Sequence, residues 1–565
     1  EIGYRGALLS TGLYPNPVHN TNFLVKLDHQ LTNNDQFNVR YSLYDVDSRN
    51  SRGAGALSAV SAAAGLNNLD QTVAVNNVLT ISPRTVNETR GQFTYSNLQA
   101  TPNDPFGPAV SISGVASFGT LSGSPTGRVN KLYEVVDNLS HQAQAHALRA
   151  GVDFLYNDLT ITFPRSINGS YSFSSLPNFL KGIYNNSGFS QTFGNRLVGQ
   201  TNPNVGIYAQ DEWKLHPRFI LNLGVRYDLQ FLQTIHTDTD NISPRIGFAW
   251  TPFSSQRTII RGGFGLFYDR IPLRALANAL LSSGNTTTVG SSSQISVSLS
   301  PTQTGAPVFP GVLTSLPSGV LANFTTMNRD MQNAYSEQGN LEIEQQISSR
   351  STLSVSYQHL RARHLIISVN QNVPACTASG GNNGCRPNPG YGNNSQYSPF
   401  ADSQYDGLSV SFLQRPVRWG SYRISYTYSK ALDDVGEFFF SSPINNFNIW
   451  QDWARSDDDQ RHRVVFDASL HSPIGPARNL SERLSHGFQL SGILQYYSPL
   501  PLNVTTGATT IQGTTARPLI EGIPIGRNTG SGFDLFTLSA RLTRTFPIRE
   551  RWKIEGIAEV FNFLN

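Results

Sequence analysis

The segment ARSDDDQRHRVVFDASL, residues 454–470, holds the side chains that most resemble a chemical site in this chain. Asp457, Asp458 and Asp459 stand in a row just before His462, which lies between two arginines. Carboxylates can bind a divalent cation, and a carboxylate beside an imidazole can transfer protons. Whether these residues act in that way depends on the elements that hold them.

The composition favours strands and turns over helices. Charged residues make up only 14% of the chain, whereas aromatic residues reach 11% and glycine occurs 48 times. Aromatic residues prefer strands, and glycine prefers turns. The net charge of +4, from 42 basic and 38 acidic residues, is too balanced to indicate a nucleic-acid partner. No apolar run reaches the ~18 residues of a membrane-spanning helix.

The chain has two cysteines, Cys376 and Cys385, in the motif CTASGGNNGC. No further cysteine or histidine stands at the spacing of a metal site. We therefore predict a disulfide that closes a small loop, with two free thiols as the alternative. A disulfide implies an oxidising compartment outside the cytoplasm.

Alternation of apolar and polar residues is the dominant pattern along the chain. In YRISYTYS, Tyr422, Ile424, Tyr426 and Tyr428 share one face of a predicted strand. The same alternation recurs in FLVKLDH, FNVRYSL, FILNLGVRYDL, LEIEQQI and FQLSGILQYY. Segments of this length match strands that cross a bilayer at a tilt, which need about 9–11 residues.

Short and long connections alternate between these segments. The short ones are residues 82–84, 216–218, 252–257, 348–351, 416–420 and 547–551. The long ones, rich in Gly, Ser, Asn and Pro, are residues 45–71, 98–130, 174–204, 270–337, 361–404, 430–461 and 498–533. Alternate connections of an up-and-down sheet lie at opposite ends, so all short turns fall on one side. Short periplasmic turns and long extracellular loops are typical of outer-membrane barrels.

The sequence therefore predicts an all-β fold, a large antiparallel up-and-down transmembrane β-barrel with about 19 or 20 strands in this chain. Open sheet edges leave backbone groups unsatisfied in hydrocarbon, so a spanning sheet must close. A soluble propeller or solenoid is the alternative, but no fixed repeat period occurs.

The alternation also predicts which side chains face lipid. In a large barrel the lumen is wet and the outer wall contacts lipid. Tyr422, Ile424, Tyr426 and Tyr428 are expected on the lipid face, and Arg423, Ser425 and Thr427 on the lumen face. Arg226 and Asp228 are likewise expected in the lumen.

The chain resembles TonB-dependent outer-membrane receptors of the Oar-like branch. The resemblance lies in residues 207–228, 242–253, 258–270, 424–434, 457–470 and 558–565, in the order of that family. It implies a barrel of about 22 strands filled by an N-terminal plug. It also implies import driven by the inner-membrane TonB protein, which pulls on a short N-terminal segment.

Against that family pattern, residues 1–565 are expected to form a partial barrel domain. The plug, the regulatory-like domain, the TonB-contacting segment and a signal peptide are not recognised before the first strand. The chain is also expected to stop before the last strand of the family. Coupling to the TonB complex is therefore an implication of the resemblance alone.

The loop of residues 430–461 and the aspartates that follow its aromatic residues offer the best ligand candidates. Aromatic rings beside fixed polar groups suit a sugar or another organic solute. The alternative is that the rings pack the loop onto itself or onto the rim. The candidate contacts are Phe438, Phe439, Phe440, Trp450, Trp453, Asp457, Asp458, Asp459 and Arg461.

The remaining patterns argue against catalysis. A calcium loop would need a glycine and a downstream glutamate that are missing after Asp459, and Asp433 and Asp434 are expected to be a solvated strand exit. We predict no enzyme activity, no cofactor and no metal. The predicted function is plug-gated transport of an unknown solute across the bacterial outer membrane, whose lipid surrounds the barrel. A passive porin and a surface adhesin or assembly platform are the alternatives.

Overall fold

The computed structural model describes residues 12–55, 57–282, 294–375, 385–434, 436, 441–473, 479–507, 510, 512, 514–549 and 552–564. Within them strands predominate. The three α-helices are short, and none is long and apolar enough to cross a membrane. They are α1 (Leu176–Leu180), α2 (Leu273–Ser282) and α3 (Leu480–Ser485).

The strands β1 to β29 follow one another in chain order. Up to residue 268 they are β1 (Val18–Thr32), β2 (Asp35–Ser48), β3 (Asn67–Ser82), β4 (Thr85–Ala100), β5 (Ala109–Ile112), β6 (Ala116–Phe118), β7 (Thr126–Ala143), β8 (His146–Thr162), β9 (Ser170–Phe173), β10 (Phe189–Phe193), β11 (Leu197–His216), β12 (Phe219–Gln230), β13 (Ile242–Trp250) and β14 (Thr258–Tyr268). Beyond it they are β15 (Ile295–Leu299), β16 (Phe324–Met327), β17 (Tyr335–Ser348), β18 (Ser351–Asn370), β19 (Asn394–Val417), β20 (Gly420–Asp433), β21 (Ala454–Arg455), β22 (His462–His471), β23 (Phe488–Tyr497), β24 (Pro501–Leu502), β25 (Leu519–Ile520), β26 (Ile523–Pro524), β27 (Gly530–Ser531), β28 (Leu535–Arg549) and β29 (Trp552–Val560).

One sheet of 20 strands dominates the structure. Its long strands follow one another as antiparallel neighbours, β1-β2-β3-β4-β7-β8-β11-β12-β13-β14-β17-β18-β19-β20-β22-β23-β28-β29. The short strands β16 and β21 are added beside β19 and β20. The all-β, up-and-down architecture is confirmed, and the strand number agrees with the predicted 19 or 20.

The predicted alternation of short and long connections is confirmed except between β22 and β23, where residues 472–487 include α3 on the side of the short turns. The six predicted tight turns all join consecutive long strands, and tight turns also join β1 to β2 and β7 to β8. The loop predicted over residues 361–404 is shorter than expected, because β18 continues to Asn370 and β19 begins at Asn394. The beginning of β19 is mostly polar, and the end of β18 has the consecutive apolar residues Leu365, Ile366 and Ile367, so neither end shows the alternation used to predict strands. Backbone pairing extends them instead.

The first and last strands, β1 and β29, differ from the other long strands in their pairing. In the described part of the chain, β1 pairs only with β2, and β29 pairs only with β28. Complete closure of the sheet therefore stays a prediction, which rests on the cost of unpaired backbone groups in hydrocarbon.

The two faces of the sheet carry the predicted types of side chain, apolar on one face and polar on the other. Tyr426 lies opposite Val410 and Val464 on an apolar face, and Tyr428 and Ile424 share that face. On the other face, the Ser425 hydroxyl hydrogen-bonds that of Ser411 at 2.9 Å. Because apolar side chains are exposed on the first face, it is the lipid face, and the polar face lines the lumen.

The long loops fold into structure that the sequence reading missed. A second sheet, in the order β15-β10-β9-β5-β6, draws its strands from three different loops. It encloses an aromatic core in which the rings of Phe173 and Phe309 lie 5.1 Å apart, close to Tyr171 and Phe189. Strands of three to five residues carry too little periodicity to be recognised alone. Their pairing depends on loops distant in the sequence.

Candidate functional site

Asp459 is the centre of a buried ion-pair cluster. Its side chain has no exposed surface and lies between β21 and β22. The Nε atoms of Arg455 and Arg461 each donate to Asp459 Oδ2 at 2.7 Å, and the Ala431 amide donates to its Oδ1 at 2.7 Å. These contacts occupy the carboxylate. Asp459 and Arg461 therefore hold the loop to the end of β20 and present little to a ligand.

The structure separates the other two aspartates from Asp459. Asp457 Oδ1 accepts from Asn528 Nδ2 at 2.6 Å and lies 3.6 Å from Arg527 Nη1, with 51% of its side chain exposed. Asp458 is exposed. No group of three or more His, Cys, Asp or Glu side chains suited to a metal occurs in the described ranges. Of the three, Asp457 and Asp458 are accessible from solvent.

His462 belongs to the lipid face and not to the aspartate cluster. Its Nδ1 lies 2.9 Å from the Tyr426 hydroxyl, and the two rings are stacked. Within the described residues no hydrogen bond or ion pair joins His462 to Asp457, Asp458 or Asp459. The acid–base pairing suggested by the segment 454–470 is not formed.

The aromatic candidates are only partly described. Phe438, Phe439 and Phe440 lie outside the described residues. Trp450 has 62% of its surface exposed, and its ring centre is 5.7 Å from that of Trp453. The two tryptophans thus pack on each other while one face of Trp450 is open. Their contact with a solute stays a prediction.

Two buried arginines tie the loop after β20 to the loop between β23 and β28. Arg527 pairs with the Asp433 carboxylate and donates to the Asp433 carbonyl oxygen at 2.7 Å. Arg517 pairs with Asp452, and both are buried. Neither arginine was a candidate, because each stands alone in a polar loop without a local pattern.

The prediction that Asp433 and Asp434 form a solvated strand exit is wrong. Asp433 is enclosed by the Arg527 contact, and Asp434 is 4% exposed. Asp434 Oδ1 accepts from the Asp402 amide at 2.8 Å. Burial is the largest influence on its carboxyl group and raises the pKa of Asp434 to about 6. The loops bury both carboxylates, and the sequence at the end of the strand did not indicate this burial.

The lumen face carries an ion-pair cluster around Arg226, as predicted for Arg226 and Asp228. Arg226 Nη2 lies 2.6 Å from both Asp153 Oδ2 and Asp228 Oδ1. Arg270, which follows β14, reaches Asp153 Oδ1 at 4.0 Å. The cluster borders a cavity of about 380 Å³ that Arg245 also lines. These pairs neutralise charge along this part of the lumen wall.

Helix α2 enters the mouth of the barrel from the segment between β14 and β17. Gln200, on the lumen face of β11, donates from Nε2 to the Leu273 carbonyl oxygen at 3.0 Å. Leu276 is fully buried in a cluster with Met331 and Tyr397. The helix was missed within the predicted loop 270–337. Its signal was the spacing of Leu273, Leu276 and Leu280, which fits one helical face.

A second cavity, of about 550 Å³, lies between α2 and the lumen face of β4, β7 and β8. Arg52, Arg128 and Arg274 line it, and no acidic side chain is among its described lining residues. Burial lowers the pKa of the nearby Arg165, which lies outside the strands. This cavity was not predicted, because its arginines come from three separate segments of the chain.

Cys385 takes part in a disulfide. Its predicted partner, Cys376, lies outside the described residues. The pairing of Cys376 with Cys385 therefore stays a prediction.

The fold and its two contrasting faces agree with the comparison to known families. The family model described as "Outer membrane beta barrel domain" matches residues 10–234 and 232–526. These segments cover most of the chain, which therefore belongs to the outer-membrane β-barrel family. A bacterial outer-membrane location follows from this membership, as predicted.

One relative in sequence and two solved structures are similar to this chain. The TonB-dependent transporter Oar of Myxococcus xanthus is 35% identical over 89 residues, which are 15% of this chain and 8% of that protein. The outer membrane transporter YddB of Escherichia coli superimposes with a TM-score of 0.63 at 14% identity, over 97% of this chain and 65% of YddB. The ferric enterobactin receptor PfeA of Pseudomonas aeruginosa gives 0.55 at 11% identity, over 97% of this chain and 64% of PfeA.

These similarities support the predicted resemblance to TonB-dependent outer-membrane proteins, and the structural ones concern the fold. The chain spans less than two thirds of each of these relatives. All three are transporters or receptors, in agreement with the prediction that this chain is not an enzyme.

Proposed function

We propose that this barrel transports a solute across the outer membrane. The observation that carries the proposal is the placement of α2, which packs onto lumen-facing Gln200 at the mouth. In this proposal, a solute entering from the loop side meets this helix and then the ion pairs around Arg226. The relatives' transport activity supports the same proposal.

We further propose that a plug domain gates the lumen and that the TonB complex supplies energy. In this proposal the plug is a domain of the whole protein, and the TonB complex is a separate partner. The lumen face supports a plug, because its exposed polar and charged side chains, such as Arg90 and Arg149, remain open to a partner surface. A plug bound there exchanges water contacts for hydrogen bonds along the wall.

A comparison of spent growth medium tests this proposal. Solute depletion is measured for the parent bacterium, for a strain lacking this protein and for a strain lacking TonB. We expect the same solutes to remain unconsumed in both deletion strains. Solutes that depend on this protein but are consumed normally without TonB would identify a passive porin. No difference between the parent and the strain lacking this protein would refute transport.

A surface adhesin or assembly platform is the second candidate. The observation that favours it is the loop sheet β15-β10-β9-β5-β6, which has its own aromatic core around Tyr171. A folded surface on the loop side is suited to holding a partner. Replacing Phe189 with Ala should loosen that core. Loss of surface attachment with unchanged solute uptake would favour the adhesin over the transporter.

A further inference from the structure

Arginines recur in the tight turns at the periplasmic end of the barrel. Each of the six tight turns predicted from the sequence contains at least one arginine. The five turns before residue 421 contain no aspartate or glutamate, and they hold Arg84, Arg218, Arg257, Arg350 and Arg418. None of these five arginines forms an ion pair within the described ranges. The turns therefore present positive charge to the periplasmic surface of the membrane without an acid of their own to balance it.

The positive charge is densest where two neighbouring turns meet. The Arg415 amide donates to the Arg350 carbonyl oxygen at 2.8 Å, and Arg350 Nη1 donates to the Pro416 carbonyl oxygen at 3.5 Å. Arg418 follows in the same turn as Pro416. Arg350, Arg415 and Arg418 are exposed and together form what we call the turn cluster. Neighbouring charges of the same sign repel one another, so an anion supplied from outside is favoured there.

An aromatic ring relates the turn cluster to the membrane surface. Trp419, which directly follows Arg418, has 51% of its surface exposed. Its ring stacks on that of Tyr422, with the ring centres 5.9 Å apart. Tyr422 lies opposite Ala468 and shares the lipid face with Ile424. Because tryptophan on a lipid-facing surface prefers the depth of the lipid headgroups, the turn cluster lies at the headgroups of the periplasmic leaflet.

The arginines beside the far end of β20 show a contrasting arrangement. Arg455 and Arg461 share the buried carboxylate of Asp459, each with its Nε atom 2.7 Å from Oδ2. Their charge is balanced inside the protein, and a further anion gains little by binding them. The turn cluster has no such carboxylate in the described part of the chain. An acidic protein that docked from the periplasm would leave the Trp419 ring uncovered, whereas a phospholipid covers it with its chains.

We infer that the turn cluster binds the headgroup of an anionic phospholipid in the periplasmic leaflet. Guanidinium groups hold phosphate oxygens through short, charge-assisted hydrogen bonds. The first carbons of the acyl chains then lie against Trp419. This lipid site goes beyond the proposed transport, because it requires neither a solute nor a plug nor the TonB complex.

Quenching of Trp419 fluorescence by brominated lipids tests the inference. The full-length protein is reconstituted in phosphatidylcholine vesicles that contain a small fraction of brominated phosphatidylglycerol, or of brominated phosphatidylcholine with the same chains. The emission of Trp419 is the difference between the natural protein and the Trp419→Phe variant treated in the same way. We expect the anionic lipid to associate beside Trp419 at least about tenfold more strongly than phosphatidylcholine, because each arginine near the surface contributes about 1 kcal/mol.

Substitutions in the turn cluster should remove this preference. Arg418→Gln should lower it about fivefold, the equivalent of one such charge. The variant that combines Arg350→Gln, Arg415→Gln and Arg418→Gln should associate equally with both lipids. Arg49→Gln is the matched control, because Arg49 is an exposed arginine after β2 at the opposite end of the barrel. It should leave the preference unchanged. Heat-modifiable mobility on electrophoresis verifies that each variant is folded.

Three results would overturn the inference. The first is equal quenching of Trp419 by the two brominated lipids in the natural protein. The second is an equal loss of preference in Arg49→Gln and Arg418→Gln. The third is complete displacement of the brominated anionic lipid by soluble glycerophosphate or by polyglutamate, which would identify a soluble phosphate ester or an acidic protein as the ligand. Solute uptake does not enter this measurement, so its failure and the failure of the proposed transport are separate results.

Discussion

Arg527 and Asp433 form a buried ion pair that joins the loop between β23 and β28 to the end of β20. Both residues are nearly inaccessible to solvent. Arg527 also lies 3.6 Å from Asp457, a residue first considered as a ligand contact. The surface around Asp457 is therefore backed by a buried ion pair that holds the loops together.

Replacing Arg527 with Gln should destabilise this loop region strongly. Removing one partner of a buried pair leaves the other charge buried, at a cost of about 3–5 kcal/mol. Limited proteolysis and thermal unfolding of the folded protein measure the effect. Arg90→Gln is the control, because Arg90 and Glu88 are an exposed pair 4.0 Å apart and contribute only about 0–1 kcal/mol. Equal protease resistance of the two variants would contradict the prediction.

The stability of the loops should fall as pH rises because of Asp434. Its pKa is raised to about 6 by burial, from 3.8 in an unfolded chain. The folded form therefore holds the proton more tightly. The resulting stability is complete below about pH 4 and is lost as pH rises through about 6, by about 3 kcal/mol in total.

Asp434→Asn tests this dependence, because the amide oxygen can still accept from the Asp402 amide. The variant should be more stable than the natural protein at pH 7.5 and should differ little from it at pH 4. Thermal unfolding at both pH values provides the measurement. A variant that is equally destabilised at both would show that Asp434 is not protonated in the fold.

Arginine substitutions on β12 should separate the two faces of the sheet. Val225 lies opposite Pro244 on the apolar face, whereas Asn222 lies opposite Gly247 on the polar face. Val225→Arg places a charge in lipid, at a cost of about 2–4 kcal/mol near the middle of the bilayer. Asn222→Arg should assemble normally. The yield of heat-modifiable protein in outer membranes compares the two, and the reverse result would invert the assignment of faces.

Gly206→Ala should disturb the lumen ion pairs. A Cβ atom at residue 206 would meet the Arg226 guanidinium and lie 2.6 Å from Asp153 Oδ2. The Arg226 side chain would have to move, and its pairing with Asp153 would weaken. Gly199→Ala on the same strand is the control, since nothing lies within 4 Å of its added Cβ. Melting temperatures of the two variants should differ by several degrees, and equal values would show that the cluster adapts.

The three consecutive aspartates should differ from one another in their response to substitution. Asp459→Asn removes the charge that Arg455 and Arg461 share, so it should lower the stability of the rim by about 3 kcal/mol. Asp458→Asn at an exposed position should leave stability within about 0.5 kcal/mol. Uptake and thermal unfolding are measured together. Weaker uptake by the Asp458 variant at unchanged stability would support ligand contact, whereas equal destabilisation by both variants would contradict the structural role of Asp459.

The sequence alone determined the repeating part of the fold. The alternation in segments such as YRISYTYS predicted the strands and their lipid faces, and the lengths of the connections predicted which end carries the loops. Alternation predicts the faces because a charge on the lipid face is energetically costly. The apolar side of each strand is therefore the side that faces lipid. The lumen placement of Arg226 followed from the same constraint.

Only the tertiary structure decided what the loops do. Asp459 and Asp433 became buried supports because Arg461 and Arg527 reach them, and Arg527 is far away in the sequence. The cavity of Arg52, Arg128 and Arg274 is likewise assembled from separate elements. Residues in the loops do not alternate between lipid and the lumen. Their contacts therefore leave no periodic pattern in the sequence. The sequence of the segment 454–470 therefore shows which of its side chains are ionisable. The partners of those side chains and their burial are visible only in the folded structure.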